Sequence, residues 1–406
     1  MGAPPDARAL LAASSRVRSA VPLIIEAAEP GQRVALVGGV VRDLLRGAEP
    51  REIDVVVEGD GIAYARRLAG LTGAEVCSYE SFGTATISSR PPVDVATART
   101  ERYASPGALP EVEWASLEQD LRRRDLTVNA IAIVVAGADT ATVLDPFGGV
   151  FDIAQRRLRL LRPDSFEEDA TRLVRVARYA VRLDAEPDAT LVHAAHAAAH
   201  GGFVALTSPT RMFEALRLVF EEREPALVVA LLTDWGVLGA IEPGLVGDTD
   251  RIRAAWAVIK DEALDTDRGA LGLGLLAAKL DPVRAISWLT EGGLGRAGTR
   301  SALAVAQSID LDRRLAGLTD ADLDAACSPL PIEAVAATGG AEAVRYLGTL
   351  RHVVLAVNGD DVQREGGAEG PDVGRLLAEL RHARIAGEVA DDRAGQEAWL
   401  RTFGSS

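Results

Sequence analysis

The stretch LVGGVVRD, at residues 36–43, decides the fold of the N-terminal part of this chain. An apolar run that begins near residue 33 predicts a short strand, Gly38 and Gly39 predict a tight turn, and the residues after them predict a helix. A helix that starts after such a turn presents free backbone N–H groups, which can bind phosphate. Arg42, in the first turns of the helix, can add a charge-assisted hydrogen bond to a phosphate oxygen. Read alone, the stretch also fits an ordinary strand–turn–helix, which is the more common case.

The sequence around this stretch alternates between strand patterns and helix patterns. Further strands are predicted at residues 53–57, 84–88, 93–96 and 126–135, and a helix is predicted at 59–71. Residues 97–115 are polar, contain a Pro-Gly pair, and are expected to form a loop. After about residue 151, Ala, Leu, Arg and Glu recur at helical spacing, and prolines divide the pattern into short helices. The sequence therefore predicts an α+β protein in which a mixed α/β unit precedes a helical part.

The composition of the 406-residue chain is typical of a globular protein. No apolar run reaches the roughly 18–20 residues that a membrane helix needs, so no membrane partner is expected. Cys77 and Cys327, the only cysteines, lie far apart in the sequence, which argues against disulfides and Cys-based zinc sites and favours the cytoplasm. The formal net charge of −15 argues against a nucleic-acid partner, although a local basic patch can still bind phosphate.

A pair of carboxylates follows the glycines, in the segment Glu52-Ile53-Asp54. Residues i and i+2 of a strand point to the same face, so the two acids would repel each other unless a cation lies between them. Two Mg²⁺ ions held in this way can activate an attacking hydroxyl group and stabilise a leaving pyrophosphate. Asp94, in a predicted strand, is a candidate for a third carboxylate near these ions. The alternative is a strand end whose polar face lies in water.

A run of three arginines opens the segment RRRDLTVNA at residues 122–130. Arginine is suited to bidentate contacts with phosphate groups and with base edges, because its guanidinium group presents several donors in one plane. Arg123 and Arg124 are therefore candidates for contacts with a nucleotide. The alternative is a solvated basic turn.

The segment EDATRLVRVAR, at residues 168–178, places acids just before a basic helix. The helical pattern puts four arginines on one face: Arg172, Arg175, Arg178 and Arg182. Asp169 is expected one turn before Arg172, close enough to pair with it. Such a carboxylate can accept from the amino group of cytosine or adenine while the guanidinium donates to the ring nitrogen, whereas uracil and guanine present the opposite pattern. The alternative is an amphipathic helix with ion pairs along its surface.

In this order, the four segments resemble the family of class II tRNA nucleotidyltransferases and bacterial poly(A) polymerases. The pattern of that family runs GG-x-V-R-D, D-x-D, R-R-D-x-x-x-N-A and E-D-x-x-R. Here GGVVRD, EID, RRDLTVNA and EDATR stand in those places. LDPFGG at residues 144–149 and GPDVG at 370–374 also resemble the family, so the resemblance spans most of the chain.

The resemblance implies a polymerase-β-like nucleotidyltransferase head with a small mixed sheet, followed by an all-α part. It places the head at residues 1–150, a helical neck with the base-selecting helix at 151–222, a body at 223–357 and a tail at 358–406. The activity that it implies is the template-independent addition of CCA, or part of it, to the 3′ end of tRNA. CTP and ATP would be the substrates, and pyrophosphate would be released.

The resemblance also implies roles for individual residues. Glu52 and Asp54 would bind Mg²⁺ and, with Asp94, form the catalytic group. The nucleotide-binding set that it implies consists of Gly38, Gly39, Arg42, Arg123, Arg124, Asp125, Asn129, Glu168, Asp169, Arg172, Arg175 and Arg178.

One position departs from the family pattern, because Glu52 stands where the family has aspartate. Glutamate is still a hard oxygen ligand, but its extra methylene displaces the carboxylate, and Mg²⁺ tolerates little misplacement. Two alternatives stay open, the first because its motifs are shared within the family and the second because of Glu52. One is an enzyme of the same family that adds poly(A), only C or only A, and the other is a catalytically weak RNA-binding relative.

Overall fold

The computed structural model describes residues 5–404, which form two compact units. The first unit comprises residues 5–208 with Trp235–Ala240, and the second comprises Pro209–Asp234 with residues 241–404. None of the helices between residues 5 and 404 combines the length and the apolar character needed to cross a bilayer. The division into head, neck, body and tail at residues 150, 222 and 357 stays a prediction.

The first unit holds the strands. They are β1 (Val34–Val37), β2 (Ile53–Val57), β3 (Val76–Tyr79), β4 (Thr84–Ile87), β5 (Val93–Thr97), β6 (Arg99–Arg102), β7 (Glu111–Trp114), β8 (Ala132–Ala136), β9 (Val143–Leu144), β10 (Arg157–Leu158) and β11 (Glu186–Pro187). The helices of this unit are α1 (Ala7–Ala13), α2 (Ser15–Glu26), α3 (Gly39–Leu45), α4 (Gly61–Thr72), α5 (Leu117–Arg122), α6 (Gly149–Ala154), α7 (Ser165–Glu168), α8 (Thr171–Leu183), α9 (Ala189–His200) and α10 (Phe203–Leu206). Short 3₁₀ turns lie at Glu80–Phe82 and Thr127–Asn129.

The main sheet has seven strands in the order β3-β4-β5-β2-β1-β8-β9. β2 and β5 run parallel, whereas β1 is antiparallel to both β2 and β8. Val34 and Leu36 of β1 join one buried apolar cluster, and Ala35 and Val37 join another. Since both faces of β1 are covered, its sequence is apolar throughout and does not alternate. The α+β prediction is confirmed, with a mixed sheet that precedes a helical part.

The structure contradicts two of the elements predicted for this unit. Residues 97–115, expected to form a loop, contain the antiparallel pair β6 and β7, in which Arg99 lies opposite Trp114. The strands escaped prediction because polar side chains dominate them and ion pairs take the place of apolar alternation. The strand predicted at 126–135 begins only at Ala132, because Thr127–Asn129 forms a 3₁₀ turn whose Thr127 hydroxyl donates to Asp152.

The remaining helices follow along the chain. They are α11 (Pro209–Arg217), α12 (Pro225–Asp234), α13 (Val237–Ile241), α14 (Thr249–Asp261), α15 (Arg268–Ala277), α16 (Pro282–Glu291), α17 (Gly295–Gln307), α18 (Leu311–Leu315), α19 (Asp320–Cys327), α20 (Ile332–Ala336), α21 (Ala341–Gly348), α22 (Gly359–Gly366), α23 (Pro371–Ile385) and α24 (Arg393–Gly404), with a 3₁₀ turn at Leu350–His352. Close packing of the second unit depends on small residues. A Cβ atom at Gly272 would lie 2.1 Å from the Phe220 ring, and one at Gly292 would lie 1.9 Å from the Phe213 ring. The two aromatic rings therefore pack directly on helix backbone.

Candidate active site

A cavity of about 870 Å³ opens in the first unit and brings together residues from all four sequence segments. The predicted site residues that line it are Gly38, Gly39, Arg42, Glu52, Asp54, Asp94, Arg123, Arg124, Asp125, Asn129, Asp169, Arg172 and Arg175. Glu168 and Arg178 belong to the predicted set but lie outside this lining. Strand pairing and helix packing thus gather segments that are more than a hundred residues apart in the sequence.

Three carboxylates stand at one side of the cavity. Asp54 of β2 and Asp94 of β5 are register partners in the parallel strand pair, so they lie side by side on one face of the sheet. Asp94 Oδ1 accepts a 2.6 Å hydrogen bond from the Thr86 hydroxyl on β4. Burial, together with the negative charges of Glu52 and Asp94, raises the pKa of Asp54 to about 6 against the opposing charge of Arg124. The negative charges of these carboxylates therefore repel an anionic substrate unless a bound cation balances them.

The Gly38-Gly39 turn lies directly against these groups. Gly38 has a φ of +66°, and a Cβ atom on it would lie 2.7 Å from Arg124 Nη1. A Cβ atom on Gly39 would lie 3.3 Å from Asp54 Oδ2. Glycine at both positions therefore lets the start of α3 approach both the carboxylate and the guanidinium group.

This donor set fits a divalent cation that shares its ligands with a substrate. Among residues 5–404, no three His, Cys, Asp or Glu side chains form a ready-made metal site. Mg²⁺ commonly takes one or two carboxylates and completes its shell with substrate phosphates and water. The neighbouring Asp54 and Asp94 carboxylates, with Glu52 beside them, supply the hard oxygen atoms that this mode of binding needs.

Arg42 joins the first segment to the third. Its buried guanidinium group donates from Nε and Nη2 to Asp43 Oδ1, at 3.0 and 2.9 Å, and from Nη1 to Asn129 Oδ1, at 2.8 Å. The same group lies 5.1 Å from the centroid of the Tyr179 ring on α8. These contacts fix the position of the guanidinium group at the wall of the cavity, with Tyr179 as a support that the sequence did not identify.

Asp125 extends this network to the basic helix α8. Its carboxylate accepts from the backbone N–H of Leu126 at 2.8 Å, from Asn129 Nδ2 at 3.3 Å and from Arg175 Nη1 at 3.4 Å. Burial acts to raise the pKa of Asp125, but Arg175 and the hydrogen bonds outweigh it and hold the pKa below its usual range. Asp125 is therefore a carboxylate that links the third and fourth segments.

Asp120, which the sequence analysis missed, anchors both predicted arginines. Its buried carboxylate accepts from Arg123 Nη2 at 2.7 Å and from Arg124 Nη2 at 3.0 Å. Burial acts to raise the pKa of Asp120, but Arg124 and Arg123 lower it below its usual range. Asp120 precedes the arginines by three and four residues at the end of α5, and this helical spacing is the signal that could have identified it.

The structure corrects the predicted geometry at Asp169 and Arg172. Helix α7 ends at Glu168 and Asp169 is extended, so Asp169 does not lie one helical turn before Arg172. Asp169 Oδ1 instead accepts from the backbone N–H and the hydroxyl group of Thr171, at 3.0 and 2.7 Å, and so forms a local turn with the first residue of α8. Arg172 forms its ion pair with Glu168, at 3.2 Å, and donates to Ser165 Oγ at 2.8 Å.

The β6–β7 segment supplies another partner of Arg172. The Tyr103 hydroxyl accepts from Arg172 Nη2 at 3.1 Å and donates to Glu101 Oε2 at 3.0 Å. Glu101 Oε1 in turn accepts from Arg123 at 2.7 Å. Burial raises the pKa of Tyr103 to about 12 despite the nearby charge of Arg172, so the phenol keeps its proton. Tyr103 and Glu101 therefore connect the third segment to the fourth, and both lie where a loop was expected.

Comparison with known proteins reveals several similarities. The profile of the poly A polymerase head domain matches residues 34–159. A CC-adding tRNA nucleotidyltransferase from Deinococcus radiodurans is 32% identical over 381 residues, which cover 92% of this chain and 91% of that protein. An A-adding tRNA nucleotidyltransferase from Geobacter sulfurreducens is 41% identical over 215 residues, or 52% of this chain.

The lengths of these relatives differ. The chain spans 24%, 32% and 51% of three A-adding tRNA nucleotidyltransferases, those of Geobacter sulfurreducens, Aquifex aeolicus and Halalkalibacterium halodurans. Among solved structures, a CCA-adding enzyme in apo form II superposes with a TM-score of 0.82 at 24% identity, covering 98% of this chain and 99% of that one. This structural similarity concerns the fold, which extends over both compact units.

Proposed function

Because the chain belongs to the class II tRNA nucleotidyltransferase and poly(A) polymerase family, we propose that it adds C, A or both to the 3′ end of tRNA. CTP and ATP are the proposed substrates, pyrophosphate is the proposed product, and no template is needed. The observation that carries this proposal is the convergence of the four segments on one cavity, with carboxylates on one side and arginines around the rest. With tRNA as the substrate, we also propose that the enzyme acts in the cytoplasm.

Enzymes of this family generally use a divalent metal ion, and we propose Mg²⁺ held by Glu52 and Asp54, with Asp94 as a third carboxylate beside it. When bound, Mg²⁺ neutralises phosphate charge and makes the attacking hydroxyl group more acidic. The three carboxylates position the RNA 3′-hydroxyl group beside the α-phosphate of the nucleotide. The 3′-hydroxyl group loses its proton to solvent, its oxygen bonds to the α-phosphorus while the bond from that phosphorus to the oxygen of the β-phosphate breaks, and pyrophosphate leaves.

Binding of the triphosphate is proposed for residues that lie next to the carboxylates. Gly38 and Gly39 allow the phosphates to approach the backbone, and Arg42 offers a guanidinium group that is already fixed in place. Positioning of this kind lowers the barrier because the donors need no rearrangement as charge develops. Arg123 and Arg124, both anchored by Asp120, add positive charge on the same side.

Asp125 and Asn129 are proposed to position the ribose and the arginines around it. Asp125 contacts Arg175 and Asn129 contacts Arg42, so the two side chains connect the phosphate-binding side to α8. This connection gives the third segment a structural role in addition to its proposed contacts with the nucleotide.

We propose that Asp169 and Arg172, which both line the cavity, select the base of the nucleotide. The two side chains offer an acceptor and a donor, the polarity that cytosine and adenine match and that uracil and guanine do not. Glu168 supports this pair by orienting Arg172. Arg175 is proposed to bind a phosphate group or to assist through its contact with Asp125. Arg178 does not line the cavity and is proposed to support α8.

The experiment that tests the proposal uses purified protein, Mg²⁺ and tRNAs that lack all or part of the CCA end. Each tRNA is incubated with each of the four labelled nucleoside triphosphates in turn, and the products are sized. Addition of CCA, of CC only or of A only defines the specificity, and long A tails define a poly(A)-adding enzyme. If the protein binds tRNA but extends none of the substrates, it is the RNA-binding relative that Glu52 leaves as the alternative.

A further inference from the structure

A second cleft, of about 470 Å³, lies in the first unit and is lined by arginines. Three separate segments form it. Arg16 comes from the start of α2, Arg51 from the turn before β2, and Arg90 from the turn before β5, with Ser15 and Ser19 beside them. None of these residues belongs to the four segments that the proposed function uses.

Strand pairing places this cleft next to the carboxylates of the active site. The backbone N–H of Ile53 donates to the Pro92 carbonyl oxygen at 3.1 Å, so the turns that precede β2 and β5 lie at the same edge of the sheet. Arg51 lines both this cleft and the larger cavity, and it immediately precedes Glu52. The cleft therefore adjoins the side of the active site where the RNA 3′-hydroxyl group has to lie.

The charges of Arg51 and Arg90 in this cleft are not balanced by a contact within residues 5–404, whereas Arg16 interacts with the charge of Glu49. Among residues 5–404, Arg51 and Arg90 make no hydrogen bond or ion pair through their side chains, and Arg16 donates only to the Pro50 carbonyl oxygen, at 2.9 Å. The nearest acid in this network, Glu49, accepts from the Arg16 backbone N–H and from the Ser15 hydroxyl. By contrast, Arg33 in the same unit pairs with three carboxylates.

The grouping of these cations points to an anionic ligand. Arginines that share a cleft repel one another. Carboxylates that could pair with them are plentiful, because this chain has 59 acidic residues and 44 basic ones. A cluster of cations on an acidic protein attracts an anion locally, and phosphate is a ligand that arginine binds well.

We propose that this cleft binds the sugar–phosphate backbone of the RNA strand whose 3′ end enters the active site. The inference rests on the proposed function. The phosphates that precede the 3′-terminal nucleotide have to leave the cavity beside the carboxylates, where Arg51 leads into the cleft. Backbone phosphates carry no sequence information, so this contact suits an enzyme that must accept many different tRNAs. The phosphates of the incoming nucleotide and of pyrophosphate are the other source of the same chemistry.

The test is the substitution Arg90→Gln in the full-length enzyme, because Arg90 lines this cleft and does not line the larger cavity. We expect KM for tRNA to rise several-fold, with kcat and KM for the nucleotide unchanged. The slope of log KM for tRNA against log salt should become shallower by about 0.7 for each lost contact with a single-stranded phosphate. Arg90→Lys keeps the charge and should restore most of the affinity and of the slope.

Arg8→Gln is the matched control, since Arg8 is also exposed in the first unit and lines neither cavity. It should leave KM for tRNA and the salt slope at the wild-type values, and both variants should keep the wild-type melting temperature. An unchanged KM for tRNA in Arg90→Gln, with a wild-type enzyme that extends tRNA, would overturn this inference alone. A rise in KM for the nucleotide, or weaker inhibition by pyrophosphate, would assign the cleft to the triphosphate instead. A wild-type protein that extends no RNA would overturn the proposed function as well.

Discussion

Arg42 Nη1 donates a 2.8 Å hydrogen bond to Asn129 Oδ1, although 87 residues separate the two in the sequence. Asn129 also donates to Asp125, and Asp125 accepts from Arg175, so a continuous set of hydrogen bonds runs from α3 to α8. The side proposed to bind phosphates and the side proposed to choose the base are therefore held by one network, and a change at its middle should affect both.

Asn129→Ala should lower kcat/KM for the nucleotide by about tenfold or more, because a buried hydrogen bond to a charged group contributes about 1.5–3 kcal/mol. A double-mutant cycle with Arg42→Ala measures the coupling, which should be at least about 0.5 kcal/mol if the two residues act together. Asn358→Ala, which removes the cap of α22 in the other unit, is the control for stability alone. It should lower the melting temperature without changing kcat/KM, and additive effects of the two site substitutions would contradict the coupling.

Asp54→Ala should abolish nucleotide incorporation and leave tRNA affinity near the wild-type value, because the carboxylate is proposed to bind metal and not RNA. Incorporation by the purified variant is measured alongside a tRNA-binding titration. Extension of tRNA at close to the wild-type rate would disprove the metal assignment.

Glu52→Asp should give equal or higher activity, since it restores the residue that the family pattern has at this place. The measurement is kcat at several Mg²⁺ concentrations. A large loss would mean that the surrounding backbone has adapted to the longer side chain of glutamate.

Asp169→Ala should slow incorporation of C or A and increase the relative use of UTP or GTP. A site that selects by hydrogen-bond polarity loses discrimination when one partner is removed. Tyr103→Phe should produce a weaker form of the same defect, because it removes the 3.1 Å hydrogen bond from Arg172 while leaving the ring. Ratios of kcat/KM for the four nucleotides test both, and wild-type selectivity in Asp169→Ala would place base choice elsewhere.

Gly39→Ala should reduce activity without destabilising the protein. The new Cβ atom would lie 3.3 Å from Asp54 Oδ2, so the carboxylate has to shift, whereas alanine is the better helix former by up to about 1 kcal/mol. Gly70→Ala is the matched control, since Gly70 lies in α4 with no atom within 4 Å of the added Cβ position. It should keep full activity, and equal activity in the two variants would contradict a close approach at Gly39.

Asp120→Asn should destabilise the first unit by about 3 kcal/mol at neutral pH, because it leaves two guanidinium groups without their buried carboxylate. The pKa of Asp120 is lower in the folded protein than its ordinary value of 3.8. Its contribution to stability is therefore complete above the unfolded-state pKa and is lost as the pH falls through the folded-state pKa. Thermal unfolding of both proteins from pH 7 to pH 3 should show the difference shrinking at acid pH, and a constant difference would contradict this account.

The sequence predicted those parts of the site that depend on local pattern. The apolar runs at β1 and β2 and the Gly38-Gly39 turn were recognisable because strands, tight turns and helix starts leave short signatures. The grouping of the four segments came from their resemblance to a family, and not from any rule that relates distant residues.

What the sequence did not predict depends partly on contacts between distant residues and partly on competing local hydrogen bonds. Glu101 lies in the polar strand β6 and Tyr103 follows that strand directly, and a polar strand has no apolar alternation to detect. Glu101 forms ion pairs with Arg123 and Arg172, and Tyr103 accepts a hydrogen bond from Arg172. Asp169 fits a helical pattern by spacing, yet its side chain accepts from the backbone N–H of Thr171, because such a local hydrogen bond competes with the helical conformation at this position. The first outcome is decided by tertiary structure and the second by a local hydrogen bond.

The register between β2 and β5 also bears on how this protein can change over time. The separation between Asp54 and Asp94 is set by the hydrogen bonds of two adjacent parallel strands, and not by the length of chain that connects them. Residues can therefore be inserted at the turn around Gly73, which follows α4 and where an added Cβ atom would meet nothing within 4 Å, without moving either carboxylate. That turn is a tolerant place for a peptide tag or a fluorescent label, and descendants of this chain are free to vary there in length while the chemistry stays the same.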